Sequence, residues 1–383
     1  MFALRAARVF DGDRLVDRPV VLVDDRRIVA AGAEPPADIE VVDLGADTTL
    51  LPGLVDTHQH LCFDGHGTLE NQVVPFDDET LAARARSMAR RAVLGGVTTV
   101  RDLGDRGWVT LGLRHDPTLP TIVAAGPPIT RSDGHCWYLG GGYEADELGR
   151  AVAERVDRGV DVIKVMMTGG VLTPDGRYPV WTTQFTTADL RRIVDDGHAA
   201  GLPVTAHCHG HAGIEAAIDA RVDSIEHCSF LGSDGRVSAD DAMLERLAAS
   251  GVVVSATIGR LPDFPMLPML AANLEALDGV RARLHQLGAT IVAGTDAGIN
   301  AGKPHDVLPY ALAEFVAAGQ RPLDGLRAMT TVAAGVCGMG ERKGRLAAGY
   351  DADILAVHGD PTADATALTA VVGVWRDGAK ITG

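Results

Sequence analysis

The chain has 383 residues, of which 46% are hydrophobic and 22% charged, a composition typical of a folded globular enzyme. Its formal net charge of −16 repels phosphate backbones and anionic lipids, which argues against a nucleic-acid partner or a membrane-surface role. The length suits a (β/α)8 barrel of about 250 residues together with an accessory domain.

The N-terminal part predicts short strands separated by tight turns. The segments ALRAARVFDG, RPVVLVDDRRIVAAG and IEVVDLG lack helical periodicity and contain Asp-Gly and Gly turns. The C-terminal segments GRLAAGYDADILAVHGD and ALTAVVGVWRDGAKI have the same character. We therefore expect one small discontinuous β-sandwich, built from residues 1–53 plus 340–383, beside a central domain of residues 54–339.

The central part alternates strand patterns with amphipathic helix patterns such as LAARARSMARRAVLGG, ADLRRIVDDGHAAG and ADDAMLERLAASG. This alternation predicts an α/β fold of the (β/α)8 TIM-barrel type. An open doubly wound sheet is the alternative, but no GxGxxG follows the first strand. The eight predicted strands are 53–60, 97–104, 121–126, 160–167, 203–210, 222–229, 252–259 and 289–298.

The first of these strands lies in LPGLVDTHQH and ends in His58 and His60. Side chains two residues apart on a strand project to the same side, so both imidazoles point from the strand's C-terminal end. Parallel barrels hold their active sites at that end, and imidazole is a good ligand for zinc. Taken alone, the pair is equally compatible with two surface histidines in a loop.

Four further strands each carry one polar residue near the C-terminal end that could bind a metal. Each has an ordinary explanation, because a strand-end aspartate often caps a helix and a lone histidine is more often a core residue. Together with the first pair, however, these residues make six side chains that would converge at the C-terminal end of one barrel, which favours a metal site. The four are Lys164, His207, His227 and Asp296.

With these residues, the chain resembles the amidohydrolase superfamily, in the branch of imidazolonepropionase-like and Xaa-Pro-dipeptidase-like enzymes. The resemblance is carried by six motifs in order and covers about residues 50 to 357, with the flanking sandwich also matching. It implies a metal-dependent hydrolase that cleaves a carbon–nitrogen amide bond. The motifs are PGLVDTHQH, DVIKVMMTGG, VTAHCHG, VDSIEHC, GTDAG and GRLAAGYDADIL.

The resemblance implies a binuclear centre with two divalent ions, zinc being preferred over manganese, cobalt or iron. Lys164, as N6-carboxylysine, would bridge both ions. This lysine favours the dipeptidase-like side, because imidazolonepropionase itself resembles a mononuclear branch without it. The remaining implied ligands are His58, His60 and Asp296 for the first ion and His207 and His227 for the second.

The mechanism that the resemblance implies is attack by a metal-bridging hydroxide on the substrate carbonyl, with Asp296 as general base. The loop DGHCWYLGGG after the third strand offers a donor for the oxyanion. His135 is the first candidate, and Tyr138 is a weaker one that would also contact substrate. His209 faces the same side as His207, so we expect it to bind substrate or to hold a ligand in place.

Three long connections, 127–143, 168–185 and 260–268, are expected to select the substrate. Two of them concentrate aromatic residues in a chain with only 4% aromatics, which hints at an apolar or ring-containing substrate. These residues are Trp137, Tyr138, Tyr178 and Trp181.

Two charged residues near these strand ends allow either a structural or a functional interpretation. Arg260 follows the seventh strand and could meet a substrate carboxylate, although an exposed loop arginine is the simpler interpretation. Glu226 alternates away from His227 on its strand, so we expect it to support a metal ligand or to pack.

The substrate itself is left open among N-acyl amino acids, dipeptides and cyclic amides. An aminohydrolase that deaminates a heterocycle is one alternative, but similar deaminases lack the lysine and use a glutamate that AHCHG does not offer. Hydrolysis of a lactone or phosphoester at the same site is another, because the metal chemistry is similar. A non-catalytic scaffold would have lost ligands, whereas all six are present.

The cellular setting is expected to be the cytoplasm. The five cysteines form no CxxC pair and are odd in number, which indicates reduced thiols. No apolar run reaches the roughly 18 residues of a membrane span, and MFALRAARVFDGD lacks the apolar region of a secretory signal. The expected partner is a small-molecule substrate, and a homo-oligomer is left open because no exposed apolar stripe stands out.

Overall fold

The computed structural model of the protein describes residues 1–17, 19–172 and 178–382. Its N-terminal part consists of short strands, several of them almost wholly buried. The six strands are β1 (Phe2–Arg5), β2 (Arg8–Val9), β3 (Val20–Asp24), β4 (Arg27–Ala31), β5 (Glu40–Asp43) and β6 (Thr48–Pro52).

The central part contains eight strands, and each lies within the range predicted for it. Their side chains are buried on both faces, as expected for parallel strands covered by helices. They are β7 (Leu54–Gln59), β8 (Val97–Asp102), β9 (Thr121–Ala124), β10 (Ile163–Met166), β11 (Val204–Cys208), β12 (Ser224–His227), β13 (Val253–Thr257) and β14 (Ile291–Gly294).

These strands pair in parallel within two sheets, in the orders β7-β8-β9 and β10-β11-β12-β13-β14. Backbone hydrogen bonds also cross between the two sheets at both ends. The amide of Asp296 donates to the carbonyl of His58 at 2.7 Å, and the amide of Ile129 donates to the carbonyl of Lys164 at 2.8 Å. The fold is therefore α/β, and its parallel strands direct their carboxyl ends to a common edge.

The described residues form ten α-helices, which lie mostly in the connections between these strands. The connection from β8 to β9 departs from the pattern, because it holds a 3-10 helix, Val109–Leu113, in place of an α-helix. No helix of the described residues is both long enough and apolar enough to cross a bilayer. The helices are α1 (Asp78–Leu94), α2 (Leu148–Arg158), α3 (Thr187–Ala199), α4 (His211–Ala220), α5 (Asp241–Ser250), α6 (Pro268–Ala272), α7 (Leu274–Gln286), α8 (Ala311–Ala317), α9 (Pro322–Ala328) and α10 (Thr331–Val336).

Local chemistry explains where several helices begin and end. Asp77 and Asp240 cap α1 and α5 by accepting hydrogen bonds from backbone amides at the third residue of each helix. Gly159 and Gly251, which follow α2 and α5, adopt the left-handed conformation that ends a helix at low cost for glycine.

The C-terminal part returns to the N-terminal strands. Strands β15 (Ile354–His358), β16 (Val371–Arg376) and β17 (Ala379–Ile381) form a sheet of order β17-β16-β15-β6-β2, in which β15 and β6 are antiparallel. A second sheet has the order β4-β3-β1-β5. Both sheets contribute to one buried apolar cluster, which includes Leu4, Val21, Ile28, Leu50, Ile354 and Trp375.

Candidate metal centre

A first group of ligand-type side chains lies where β7 and β14 end. The Nε2 atoms of His58 and His60 are 3.3 Å apart, and the Oδ1 atom of Asp296 lies 3.4 Å and 3.3 Å from them. The ligand atoms of these three residues all lie within 4.8 Å of one another. The His-x-His spacing at the end of β7 and the segment directly after β14 therefore bring these three side chains together.

A second group lies at the ends of β11 and β12. It consists of His207, His209 and His227, whose ligand atoms also lie within 4.8 Å of one another. The register of the two strands, with Cys208 opposite His227, brings the rings together at centroid distances of 4.5–4.6 Å. His209, predicted as a substrate-binding or ligand-supporting residue, thus lies beside the two predicted ligands.

Lys164 lines the same cavity as both groups. It lies on β10 opposite Thr205 of β11, and its side chain is only 1% exposed. Within the part of the chain that the structure describes, its Nζ atom has no hydrogen-bond partner. Burial lowers the pKa of this amine, which favours the neutral form that can react with carbon dioxide.

Four of the five clustered histidines use Nδ1 for a hydrogen bond, which leaves Nε2 as the ligand atom. Second partners of this kind fix the tautomer and the orientation of metal-binding imidazoles. The Nδ1 contacts are His58 with Glu226 at 2.9 Å, His60 with the Gly104 carbonyl at 3.0 Å, His209 with Ser229 at 2.8 Å and His227 with Thr257 at 3.0 Å.

Glu226 is a buried carboxylate behind the first group. Its Oε1 atom accepts hydrogen bonds from Arg101 Nη2 at 2.8 Å and Thr205 Oγ1 at 2.6 Å. Burial alone would raise its pKa, but Arg101 and His58 hold the pKa well below the ordinary value, so the carboxylate stays charged. Sequence alternation indicated a supporting role for Glu226 but not which ligand it contacts.

Two predicted ligands have a backbone conformation that is uncommon outside glycine. His227 has φ of 67° and Asp296 has φ of 59°. Such left-handed residues cost free energy on the order of 1 kcal/mol and cluster at functional sites. Here they turn the side chains at the strand ends into the cavity.

The predicted oxyanion donor, His135, also lies in this cavity. It is buried, and its ring centroid is 4.6 Å from that of His207. Burial lowers the pKa of His135 to about 3, so the imidazole is neutral at pH 7 and carries one N–H group. A side chain at Gly170 would meet this ring at 2.2 Å, so the imidazole occupies space that only glycine leaves open.

Tyr138 is buried, and its hydroxyl donates a hydrogen bond to Cys136 Sγ at 3.7 Å. Cys136 is part of the cavity wall, whereas Tyr138 is absent from the described residues that line it. Trp137 and Trp181 are 44% and 37% exposed and are likewise absent from that wall. Residues 173–177 of the predicted specificity segment 168–185 lie outside the described residues.

The cavity has a volume of about 640 Å³ and extends from the ligand groups towards α6 and α7. Its wall there includes Phe264 and Leu267 from the predicted segment 260–268. Arg260 also lines it and forms an ion pair with Glu314 at 3.3 Å. The simpler sequence interpretation of Arg260, an exposed loop arginine, therefore does not describe its position, because its guanidinium is held at the cavity wall.

The residues present fit divalent cations. Imidazole nitrogens and a carboxylate oxygen converge in two groups, and these are the donors that zinc and its neighbours prefer. The hydrogen-bonded Nδ1 atoms agree with such a site, as does the Lys164 Nζ atom, which makes no hydrogen bond within the described part of the chain.

The Amidohydrolase family model matches residues 49–382, so the chain belongs to the amidohydrolase family. Together with hydrolase relatives over almost the whole chain, this membership defines a hydrolytic enzyme that acts on carbon–nitrogen bonds.

Individual relatives agree with this class. The ochratoxinase of Aspergillus niger is 29% identical over 420 residues, which cover 96% of this chain and 83% of the ochratoxinase. The imidazolonepropionase of Symbiobacterium thermophilum is 27% identical over 404 residues, or 90% of this chain and 86% of that enzyme. The crystal structure of a Xaa-Pro dipeptidase with bound methionine is similar with a TM-score of 0.84 and 27% identity, covering 100% of both chains.

Proposed function

We propose that the protein is a binuclear metal-dependent amidohydrolase that cleaves the amide bond of an N-acyl amino acid or a dipeptide, with a cyclic amide as the further candidate. The observation that carries this proposal is the buried Nζ of Lys164, which has no hydrogen-bond partner among the described residues and lies in the cavity that also contains both ligand groups. A buried amine beside two cations would be repelled, whereas its carbamate would supply a bridging anion.

The proposed ligands follow the two groups of side chains. Lys164, carboxylated on Nζ, would contact both ions. When bound, two zinc ions lower the pKa of a water molecule and polarise the substrate carbonyl. The other ligands would be His58, His60 and Asp296 for one ion, and His207 and His227 for the second.

The side chains around this site would handle the proton and the developing charge. The neighbouring imidazoles of His58 and His60 hold the pKa of Asp296 well below its ordinary value, although burial opposes this, so the carboxylate is ionised. The Asp296 carboxylate would accept the proton of the attacking water and pass it to the leaving nitrogen. The neutral imidazole of His135 would donate its N–H to the substrate oxygen as negative charge develops.

The two remaining site residues have supporting places in this proposal. His209 stacks on His227 with an interplanar angle of 20° and would orient the substrate beside the second ion. Tyr138 would mainly hold the Cys136 side chain in place, because its hydroxyl donates a hydrogen bond to Cys136 Sγ. It is the weaker candidate for a substrate contact.

The architecture proposed around the site is one closed (β/α)8 barrel of residues 54–339. The hydrogen bonds from Asp296 to His58 and from Ile129 to Lys164 support closure, because they bridge the two parallel sheets. The β-sandwich of residues 1–53 plus 340–383 is supported by the pairing of β15 with β6 and by the apolar cluster that its two sheets share.

The test is a substrate screen with N-acyl amino acids, dipeptides and cyclic amides, using protein stripped with chelator and then reloaded with zinc. We expect amide hydrolysis that is lost on stripping and restored by zinc. H207N should abolish it, whereas H211N should not, because His211 is exposed at the start of α4. Hydrolysis of lactones, phosphoesters or heterocyclic amines without any amide hydrolysis would overturn the proposal.

A further inference from the structure

We propose that Arg281 and Arg260 form a subsite for a carboxylate of the substrate, at the part of the catalytic cavity bounded by α7. This inference rests on the proposed function and narrows it to substrates that carry a free carboxylate, such as N-acyl amino acids and dipeptides.

The two arginines reach the cavity from different elements. Arg260 lies three residues after β13, whose last residue, Thr257, contacts Nδ1 of His227 at 3.0 Å. Arg281 lies on α7, and its side chain is only 14% exposed. Both line the cavity that contains His227 and Lys164, so one extended ligand can reach the reacting centre and the guanidinium groups together.

The charges along this wall are unbalanced. Arg260 pairs with Glu314, but Arg281 Nη1 makes no hydrogen bond to the described residues, although it lies 3.0 Å from Asp278. Among the described residues, Lys303 donates to two backbone carbonyls, those of Thr257 at 3.0 Å and Thr295 at 2.7 Å.

Away from the metal ligands, three cationic side chains and one carboxylate line the described cavity wall: Arg260, Arg281, Lys303 and Glu314. A buried cation without a full set of partners is unfavourable, and a bound anion would supply what is missing. A carboxylate matches the planar guanidinium fork in geometry as well as in charge.

The rest of this wall suits the body of such a substrate. It consists of apolar side chains from β13 and the segment after it and from α7, namely Ala256, Ile258, Leu277, Val280 and Leu284. The side chain of an apolar N-acyl amino acid would pack against this apolar wall, and its carboxylate would bind the two arginines. A simple cyclic amide has no group for the arginines.

A purely structural role is the rival explanation, because the Arg260–Glu314 pair also joins the segment after β13 to α8. The two roles differ in one observable. Loss of a structural contact lowers activity towards every substrate alike, whereas loss of a carboxylate subsite affects only substrates with the carboxylate. The ratio of kcat/KM for an acid to kcat/KM for its neutral carboxamide therefore distinguishes the structural role from the subsite role. The concentration of active enzyme cancels in this ratio.

The experiment measures benzoate release from N-benzoyl-L-leucine and from its N-methylcarboxamide by the zinc-loaded enzyme. We expect the wild type to prefer the acid, and R281M and R260M each to lower kcat/KM for the acid about 10- to 100-fold while changing the carboxamide value less than about 2-fold. E314Q removes the competing carboxylate and should raise the acid-to-carboxamide ratio. R283M is the matched control, because Arg283 lies on the same helix, pairs with Asp241 at 3.1 Å and is not among the described cavity residues.

An equal loss of activity on both compounds in R281M, or a wild type without preference for the acid, would overturn the inference. If the wild type hydrolyses neither compound, calorimetric binding of N-benzoyl-L-leucine decides the matter independently of the proposed reaction. Binding to the wild type that R281M loses and R283M retains supports the subsite, whereas absent or unchanged binding contradicts it.

Discussion

Nδ1 of His58 donates a hydrogen bond to Oε2 of Glu226 at 2.9 Å; both side chains are buried, and His58 lines the cavity while Glu226 lies behind it. Because the proton of the imidazole is held on Nδ1, the lone pair of Nε2 faces His60 and Asp296. Arg101 keeps the carboxylate charged from the opposite side, with Nη2 at 2.8 Å from Oε1. This buried ion pair therefore orients one of the proposed metal ligands.

The variant E226Q should weaken zinc binding about 10- to 100-fold, because it removes the charge that fixes His58 while keeping the side-chain volume. The measurement is competition for zinc with a chromophoric chelator. E215Q is the control, since Glu215 is exposed on α4 and forms its ion pair with Arg246 at 2.9 Å. Unchanged zinc affinity in E226Q would show that Glu226 merely packs.

Displacing the His135 ring should lower kcat and leave the metal in place. In G170A the new methyl group would lie 2.2 Å from His135 Cε1, so the ring must move away from its present position. We expect kcat to decrease in G170A, by at most as much as in H135N. For H135N, the loss of an oxyanion donor predicts a decrease in kcat of about 100- to 1,000-fold.

G112A is the matched glycine control, because a methyl group there meets no atom of the described residues within 4 Å. Metal content, measured on the same samples, should be equal in all three variants and the wild type. Full kcat in both G170A and H135N would remove His135 from the mechanism.

The variant K164A should lose amide hydrolysis, and short carboxylates such as formate or acetate should restore part of it by supplying the missing bridging anion. K380A is the control, because Lys380 is an exposed lysine on β17. Rates are measured with increasing carboxylate concentration for both variants. Full activity of K164A without added carboxylate would exclude the lysine as the bridge.

Stability of the metal-free protein should decrease as the pH falls from about 6.5 to about 4. Burial lowers the pKa of both His58 and His209 to about 4, below the ordinary value near 6.5. In this window the unfolded chain binds protons that the folded chain does not, so the free energy of unfolding rises with pH and is lost on acidification.

Each such histidine contributes about 1.4 kcal/mol per pH unit within that window. Thermal unfolding in the presence of chelator measures the effect, and H209N should make the dependence on pH less steep. A melting temperature that does not change between pH 6.5 and 4 would contradict the neutral, buried state of these imidazoles.

The strands were predictable because each is a short apolar run between turn residues. Even so, all eight strands are shorter than their predicted ranges, because the pattern cannot show where backbone pairing stops. The missing α-helix between β8 and β9 was not foreseen either. In that connection the structure uses a 3-10 helix, which has no strong sequence periodicity.

The candidate ligands could be read from the sequence because strand ends share one edge of a parallel sheet. Contacts between distant side chains could not be read in this way. Nothing in the local pattern places Arg281 of α7 in the cavity or directs Tyr138 towards Cys136, because both positions depend on how loops and helices pack over the strands. His209 was recognised on the correct face, but only the register of β11 and β12 brings it beside His227.

In the proposed centre, two metal ions are held by side chains around Lys164. The most direct test of this arrangement is elemental analysis of protein purified without chelator, with K164A analysed alongside. We expect close to two equivalents of divalent metal per chain in the wild type, matching the two ligand groups, and clearly less in K164A. Wild-type protein that is free of metal and yet fully active would contradict the proposed centre.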